Sequence, residues 1–180
     1  MTHTGQIVEI PASSVLYKDE TPDFASKKEE LLWKSTPKSY SLFDGFIVEG
    51  HFGLEHFQIG QRKGINVGGK KEPLYVIAMD PAENRLFVGA GESHPGLFTH
   101  AVSFPKNQLT WKTEFFSDIK NKENGILVEI ASSAVDGNIP VTMYVFDDQI
   151  FFEFSKPAPT VIQYHPFRLY YNETLIAELT

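Results

Sequence analysis

A basic, glycine-rich segment at residues 60–71, here called the basic loop, carries the side chains of this sequence best suited to binding chemistry. It reads Gly-Gln-Arg-Lys-Gly-Ile-Asn-Val-Gly-Gly-Lys-Lys. Glycine adopts backbone angles that are closed to other residues, so the four glycines predict a tightly turned connection. Such a loop would present cations to an anion or a phosphate, whereas the alternative is an ordinary solvated loop. The candidate contact residues are Gln61, Arg62, Lys63, Lys70 and Lys71.

A nucleotide-binding motif can be tested directly against the same segment. Residues 64–70 fit the first seven positions of the P-loop pattern, but the eighth position, which must be serine or threonine, is Lys71. A P-loop is also followed at once by a helix, because the amides at the helix N-terminus hold the phosphates. Here Pro73 and an apolar, strand-like run follow instead. The segment is therefore not a P-loop, and we predict no cofactor.

One set of residues has spacing compatible with a metal site. Glu49 and His51 would share a face of a strand, and His56 would lie close by across a turn. The remaining histidines are scattered along the chain. Ordinary surface or strand-edge histidines are the competing interpretation, and we predict that no metal is bound.

Catalytic constellations are missing from the sequence. Ser132 and Ser133 have no His-Asp partners nearby and no glycines of a nucleophile elbow. Asp147 and Asp148 are adjacent, so their side chains would diverge in a strand, and a turn is the better interpretation. The chain contains no cysteine, which excludes disulfides and thiolate chemistry. We predict no catalytic residue and no enzyme activity of the chain by itself.

The elements that must position the basic loop are predominantly β. Ser26 has the capping-box spacing to Glu29, which predicts a short helix over residues 27–34 that ends before Pro37. A first strand is predicted at residues 6–10, and a hairpin turn at residues 81–84. Further strands are predicted at residues 46–49, 55–59, 74–79, 85–88, 111–116, 126–132, 140–146, 149–154, 160–163, 167–171 and 175–179. Short strands separated by frequent turns predict a small antiparallel barrel in the second half.

Composition and charge limit the classes of function. The formal net charge is −7, and neither half of the chain is basic, with 10 basic against 13 acidic residues up to residue 100 and 6 against 10 after it. Autonomous nucleic-acid binding usually needs a positive surface, so any RNA contact must depend on a local patch, and we predict no DNA partner. No apolar run is long enough to cross a membrane, and no secretory signal is present, which predicts a cytoplasmic protein without a membrane partner.

Four motifs in a fixed order carry a resemblance to a known family. They are Gly-Leu-x-x-Phe-x-Ile-Gly-Gln-Arg-Lys-Gly at residues 53–64, Val-Gly-Gly at 67–69, Glu-Pro-Leu-Tyr-Val-Ile at 72–77 and Gly-x-x-His-Pro-Gly-Leu at 91–97. This region resembles the central part of the bacterial tRNA 2-thiouridylases, which thiolate the wobble uridine of certain tRNAs. A weaker resemblance extends to the C-terminus and back to residues 5–10.

The resemblance implies a mainly β protein with two domains. Residues 1–100 would form an extension with one short N-terminal helix and a small β-rich central domain, and residues 101–180 an antiparallel six- or seven-stranded β-barrel. At His94 the resemblance implies a residue that fixes its loop. The family's enzymes bind ATP through a Ser-Gly-Gly-x-Asp-Ser loop and pass sulfur through two cysteines, and this chain contains neither. It would therefore be a non-catalytic module, either the C-terminal portion or a divergent paralogue of such an enzyme. This module would dock tRNA or a separate catalytic PP-loop protein through residues 60–69 of the basic loop.

The second half departs from the family in two places. Where family members carry an Arg-Tyr-Arg-Gln segment that meets tRNA, this chain has Ser132-Ser133-Ala134-Val135. The family's Gly-Gln pair near the last strands aligns with about His165-Pro166. Serine and alanine cannot replace the forked donors of arginine. The alternative interpretation is thus a protein-interaction or scaffold module that has lost RNA binding, and an unrelated enzyme that uses the barrel mouth is a third.

Overall fold

The structure is a computed structural model that describes residues 4–18, 21–114, 122–146 and 149–180. It is mainly β, and the predicted fold class is confirmed. The chain forms two compact units. We call them the four-stranded unit, residues 1–21 and 37–98, and the seven-stranded unit, residues 22–36 and 99–180.

The four-stranded unit contains one mixed sheet. Its strands are β1 (Gly5–Glu9), β2 (Phe46–His51), β3 (Leu74–Asp80) and β4 (Arg85–Ala90). The order across the sheet is β2-β1-β4-β3, with β1 and β4 parallel and the outer pairs antiparallel. β2 and β3 therefore form the two edges of this sheet.

Both faces of the four-stranded sheet carry a hydrophobic core, because successive side chains of a strand point to opposite faces. Ile7 and Val76 pack on one face, whereas Val8 and Ile77 pack on the other. All four are at most 5% exposed. The strand predicted at residues 74–79 is confirmed, and its apolar run is explained by the cores on both faces.

The hairpin between β3 and β4 turns where the sequence predicted it. Asp80 accepts hydrogen bonds at Oδ1 from the backbone amides of Ala82 (3.0 Å) and Glu83 (3.3 Å). Asn84 has a φ of 52°, a left-handed angle that asparagine tolerates better than most residues. Its side-chain amide donates to the carbonyl of Thr4 (2.7 Å), which ties the turn to the start of β1.

The seven-stranded unit is an antiparallel sheet curled into a half-barrel around its core. Phe104, Phe152 and Phe167 meet at the centre of this core, with ring centroids 5.2 to 6.1 Å apart. The order across the sheet is β5-β9-β8-β7-β10-β11-β6. The strands are β5 (Phe98–Pro105), β6 (Thr110–Trp111), β7 (Lys122–Ser132), β8 (Asn138–Phe146), β9 (Gln149–Pro159), β10 (Phe167–Tyr171) and β11 (Thr174–Leu179).

Three predicted strands differ from the structure. Residues 160–163 belong to a 3₁₀ helix, Thr160–Tyr164, because β9 continues to Pro159 and the following turn buries Ile162 in the barrel core. Residues 55–59 form no strand either: a 3₁₀ turn, Leu54–His56, stands at their start. The strand predicted at 111–116 is reduced to β6. Residues 115 and 116, like the turn predicted at Asp147 and Asp148, lie outside the described residues.

The α-helix α1 (Lys27–Ser35) begins as predicted directly after its N-cap residue, Ser26. Ser26 accepts a hydrogen bond at Oγ from the amide of Glu29 (3.2 Å), and the Glu29 carboxylate accepts one from the amide of Ala25 (2.8 Å). The helix ends two residues before Pro37, also as predicted. Within the described part of the chain, no helix is long and apolar enough to cross a membrane.

An ion-pair network fastens α1 to the curled sheet. Glu153 on β9 accepts from Lys27 (3.0 Å), Lys34 (2.6 Å) and the hydroxyl of Tyr144 (3.2 Å). Glu30 pairs with the same two lysines. Burial alone would raise the pKa of Glu153, but hydrogen bonds from Lys27 and Lys34 outweigh it, so the pKa lies below its ordinary value. Hydrogen bonding by Lys34 likewise lowers the pKa of Glu30.

These shifts predict that α1 detaches in acid. A carboxylate whose pKa is lowered by folding stabilises the fold above its unfolded pKa, near 4.5, and this stabilisation disappears as the pH falls through the lower folded value. Tryptophan fluorescence reports α1 because it carries Trp33. We expect the tryptophan fluorescence of the unsubstituted chain to change as the pH falls below about 4.5. In the Glu153→Gln variant we expect the change to begin at a higher pH. A fluorescence signal that is independent of pH between 3 and 7 would contradict this role of the network.

Candidate functional site

The segment that contains the basic loop is anchored to one face of the four-stranded sheet. After β2, Gly53 turns the chain with a φ of 153°, and apolar side chains at several later positions pack onto the core beside Ile7 and Val76. These side chains are Leu54, Phe57, Ile59, Ile65 and Val67. The backbone turns at both ends of the strand predicted at 55–59, in the 3₁₀ turn Leu54–His56 and at Gly60 (φ 80°), and the segment between them is not extended against a neighbouring strand. The basic loop is therefore anchored to the core through Ile65 and Val67, although most of its residues are exposed.

Backbone hydrogen bonds join the start of the basic loop to edge strand β3. The amide of Gly60 donates to the carbonyl of Val76 (2.8 Å), and the amide of Val76 donates to the carbonyl of Gln61 (2.9 Å). Gly60, Gly64 and Gly69 have φ angles of 80°, 83° and 74°, which favour glycine. The prediction of a tightly turned loop is confirmed at these three positions.

The side chain of Gln61 is directed into the loop. Its Oε1 accepts a hydrogen bond from the amide of Gln58 (2.9 Å), and its Nε2 donates to the carbonyls of Lys63 (2.7 Å) and His56 (3.4 Å). A side-chain amide that closes a turn in this way replaces backbone hydrogen bonds that the turn cannot make itself. The geometry thus supports a structural role for Gln61, and not the predicted direct contact with a ligand.

The Gln61→Ala variant should loosen the basic loop. We expect a loss of about 1 kcal/mol in the free energy of unfolding, because the three exposed hydrogen bonds of the Gln61 side chain disappear. Hydrogen exchange of the Gln58 amide, which loses its acceptor, should become faster. The matched control is Gln58→Ala, since the Gln58 side chain is exposed two residues before the loop. Equal stability of the two variants would contradict a structural role for Gln61.

The cations of the basic loop occupy different environments. Arg62, Lys63 and Lys71 are exposed. Arg62, Lys70 and Lys71 line one shallow groove of about 320 Å³, here called the basic groove, and Lys63 does not line it. Glu72 stands at the same groove and supplies a carboxylate. The structure thus brings together three of the five predicted contact residues.

Lys70 is held by its own neighbours. It forms an ion pair with Glu9 at the end of β1, and its Nζ lies 5.2 Å from the ring centroid of Phe46 at the start of β2. The ion pair offsets the charge of Lys70, so Arg62 and Lys71 remain as the cations of the groove. Neither Glu9 nor Phe46 was identified from the sequence, because only the pairing of β1 with β2 brings them beside the loop.

His94 fixes its loop, as the resemblance implied. Its ring is 1% exposed, accepts at Nδ1 from the amide of Gly96 (3.1 Å) and donates from Nε2 to the carbonyl of Ile10 (2.9 Å). Burial lowers the pKa of His94, against a smaller opposing effect of the hydrogen bond to Ile10. A neutral ring with both nitrogens engaged stabilises the loop and has no free nitrogen for proton transfer or metal binding.

His51, which belongs to the possible metal site, forms the same two kinds of hydrogen bond as His94. It is 2% exposed, accepts at Nδ1 from the amide of Gly53 (3.1 Å) and donates from Nε2 to the carbonyl of Asn84 (3.2 Å). His56 is instead exposed and lies beside Glu55. Among the described residues, no three histidine, aspartate or glutamate side chains converge at ligand distance.

The two segments in which the barrel departs from the family meet in the seven-stranded unit. Ser132 donates from Oγ to the carbonyl of Pro166 (2.9 Å), and both line a groove of about 700 Å³ that also contains Ser133. Arg168 in this groove pairs with Glu178 (3.3 Å). The groove is therefore polar without a surplus of positive charge, and Ser132 is positioned by a carbonyl and not by a catalytic base.

Sequence comparisons identify proteins that share these features. A family model described as the tRNA methyl transferase PRC-barrel domain matches residues 35–90, which include the basic loop. The tRNA-specific 2-thiouridylase MnmA of Flavobacterium johnsoniae is 31% identical over 160 residues, 88% of this chain and 40% of the relative. The chain belongs to the tRNA 2-thiouridylase family.

Two further family members agree with this assignment. The MnmA protein of Karelsulcia muelleri is 35% identical over 87% of this chain and 38% of its own length. That of Christiangramia forsetii is 40% identical over 59% of this chain and 27% of its own length. The chain thus spans two fifths or less of these thiouridylases, and its match is to the barrel domains of the family and not to the catalytic domain.

Proposed function

We propose that this chain is a non-catalytic docking module of the 2-thiouridylase family that holds tRNA through the basic loop. The observation that carries the proposal is the anchoring of the loop, which fixes Arg62 and Lys71 at one groove. Cations on a rigid support lose less conformational entropy when they bind phosphate than cations on a mobile loop. The family relationship supplies tRNA as the ligand.

The five loop residues divide into two groups under this proposal. Arg62, Lys63 and Lys71 are exposed and contact the phosphate backbone. Gln61 holds the turn, and Lys70 joins the loop to Glu9 and thereby positions the groove. Since these 180 residues contain no cysteine, sulfur transfer would need a catalytic PP-loop domain outside them, such as that of a separate protein.

Charge reversal tests the docking role. We expect Arg62→Glu and Lys63→Glu each to weaken tRNA binding at low salt about tenfold, and to reduce the slope of log K against log salt by about one. Lys18→Glu is the matched control: Lys18 is exposed and follows Tyr17, which packs on the sheet face opposite the loop. Equal binding by all three variants would refute a contact through the basic loop.

A protein-docking function is the second candidate. Ile47 on edge strand β2 is 53% exposed, Phe52 directly after this strand is 51% exposed, and the net charge is −7. Exposed apolar side chains at a sheet edge suit a protein partner, here a catalytic PP-loop protein. Size-exclusion chromatography with such a protein, without RNA, distinguishes the two candidates: a stable complex that Ile47→Glu disrupts would favour this one.

A further inference from the structure

Phe46 places an aromatic ring at the edge of the basic groove. It is the first residue of β2 and is 49% exposed, although apolar cores lie on both faces of its sheet. Lys70 lines the groove and also lies 5.2 Å from the Phe46 ring centroid. Lys70 therefore connects the ring to the basic groove, because it lines the groove and lies over the ring.

A second aromatic ring precedes Phe46 by three residues. Phe43 is fully exposed, at 100%, in the 3₁₀ turn Leu42–Asp44. The turn is held by Asp44, which accepts from the amide and the hydroxyl of Ser41 (both 2.7 Å), while the Ser41 hydroxyl accepts from the amide of Phe43 (3.2 Å). A completely exposed phenylalanine contributes no burial to the fold, yet this one is carried by a well-ordered turn.

The charges around these rings suit a nucleic acid better than an apolar protein surface. Glu9, the cross-strand partner of Phe46, forms an ion pair with Lys70, which offsets its negative charge. Arg62 and Lys71 outnumber the single carboxylate of the adjoining groove, Glu72, and this charged setting would be costly to bury under an apolar partner. Sites for single-stranded nucleic acids combine a cationic track with aromatic faces on which bases stack.

We propose that Phe46, together with Phe43, forms a base-stacking platform, so that the basic groove selects unpaired nucleotides over duplex RNA. This inference rests on the proposed function and names the part of the RNA that binds. Arg62 and Lys71 hold the backbone, and an unstacked base lies on an aromatic ring. A duplex offers phosphates to the same cations but keeps its base faces inside the helix, so it gains only the electrostatic part of the binding.

The test compares a short unstructured RNA with a duplex of the same length and sequence, at low salt. We expect the single strand to bind more tightly, and Phe46→Leu to weaken single-strand binding about fivefold or more while leaving duplex binding unchanged. Leucine keeps the apolar contact with Lys70 but removes the π-face. Phe52→Leu is the matched control, since Phe52 is 51% exposed and lies just beyond the other end of β2.

The possible outcomes distinguish the stacking platform from the proposed tRNA-docking function. Salt-sensitive binding of both RNAs with equal affinity, or equal effects of Phe46→Leu and Phe52→Leu, would overturn the stacking platform and leave tRNA docking intact. Absence of salt-sensitive binding to any RNA would overturn both. If Phe46→Leu instead disrupted only a complex with a catalytic PP-loop protein, the surface would be a protein interface and the inference would be wrong.

Fluorescence provides a second measurement of stacking. When an adenine analogue is placed in the single strand, we expect the chain to quench its fluorescence, and the Phe46→Leu variant to quench it less.

Discussion

The Gly89→Ala variant should destabilise the four-stranded unit by about 2 to 3 kcal/mol. Gly89 lies on β4 directly under the His94 ring, and a Cβ atom built on its backbone falls well inside van der Waals contact with three atoms of that ring. The ring cannot yield without cost, because hydrogen bonds from Gly96 and to Ile10 hold it. The variant therefore either displaces His94 and breaks both bonds or shifts β4.

Hydrogen exchange provides a local measurement of this effect. The Ile10 amide donates to the carbonyl of Val88 (2.8 Å), so its exchange reports opening between β1 and β4. We expect the exchange to accelerate in Gly89→Ala, together with a lower urea midpoint. Gly68→Ala is the matched control, because a Cβ at Gly68 meets no atom within 4 Å. Equal stability of the two variants would show that His94 does not fix its loop rigidly.

The Leu31→Ala variant should destabilise the seven-stranded unit by about 3 kcal/mol. Leu31 is the only apolar side chain of α1 that is fully buried, and it packs against Phe146 and Phe151. Removing three carbons there leaves a cavity between the helix and two large rings that cannot close around it. The ion pairs of Lys27 and Lys34 with Glu153 would then have to hold the helix alone.

The neighbouring residue provides the control for this prediction. Leu32 carries the same side chain on the same helix but is 40% exposed, so Leu32→Ala should cost less than about 1 kcal/mol. Trp33 and Trp111, the two tryptophans of the chain, both belong to the seven-stranded unit. Urea unfolding followed by tryptophan fluorescence therefore measures this unit. Similar midpoints for the two variants would mean that α1 is not held by Leu31.

Features set by a few neighbouring residues could be predicted from the sequence. Ser26 and Glu29 mark the start of α1, and Asn84 marks the β3–β4 turn, because capping and left-handed turns depend on local chemistry. The basic loop could also be located, since its glycines determine its turns. Gly60, Gly64 and Gly69 adopt the left-handed angles that only a few residue types allow.

Features that depend on distant partners could not be predicted. Lys70 was identified as a ligand contact, but its ion pair with Glu9 and its position over Phe46 depend on the register of β1 and β2. Residues 160–163 have the composition of a strand, yet burial of Ile162 in the barrel core draws them into a 3₁₀ helix. Tertiary packing decides such cases against local preference.

Binding of tRNA by the purified chain at increasing salt tests the proposed docking function most directly. Three phosphate-contacting cations predict that log K falls with log salt with a slope of about −2 to −3, and that the Arg62→Glu variant has a slope smaller by about one. A binding constant that does not change with salt, or a slope that Arg62→Glu leaves unaltered, would contradict docking through the basic loop.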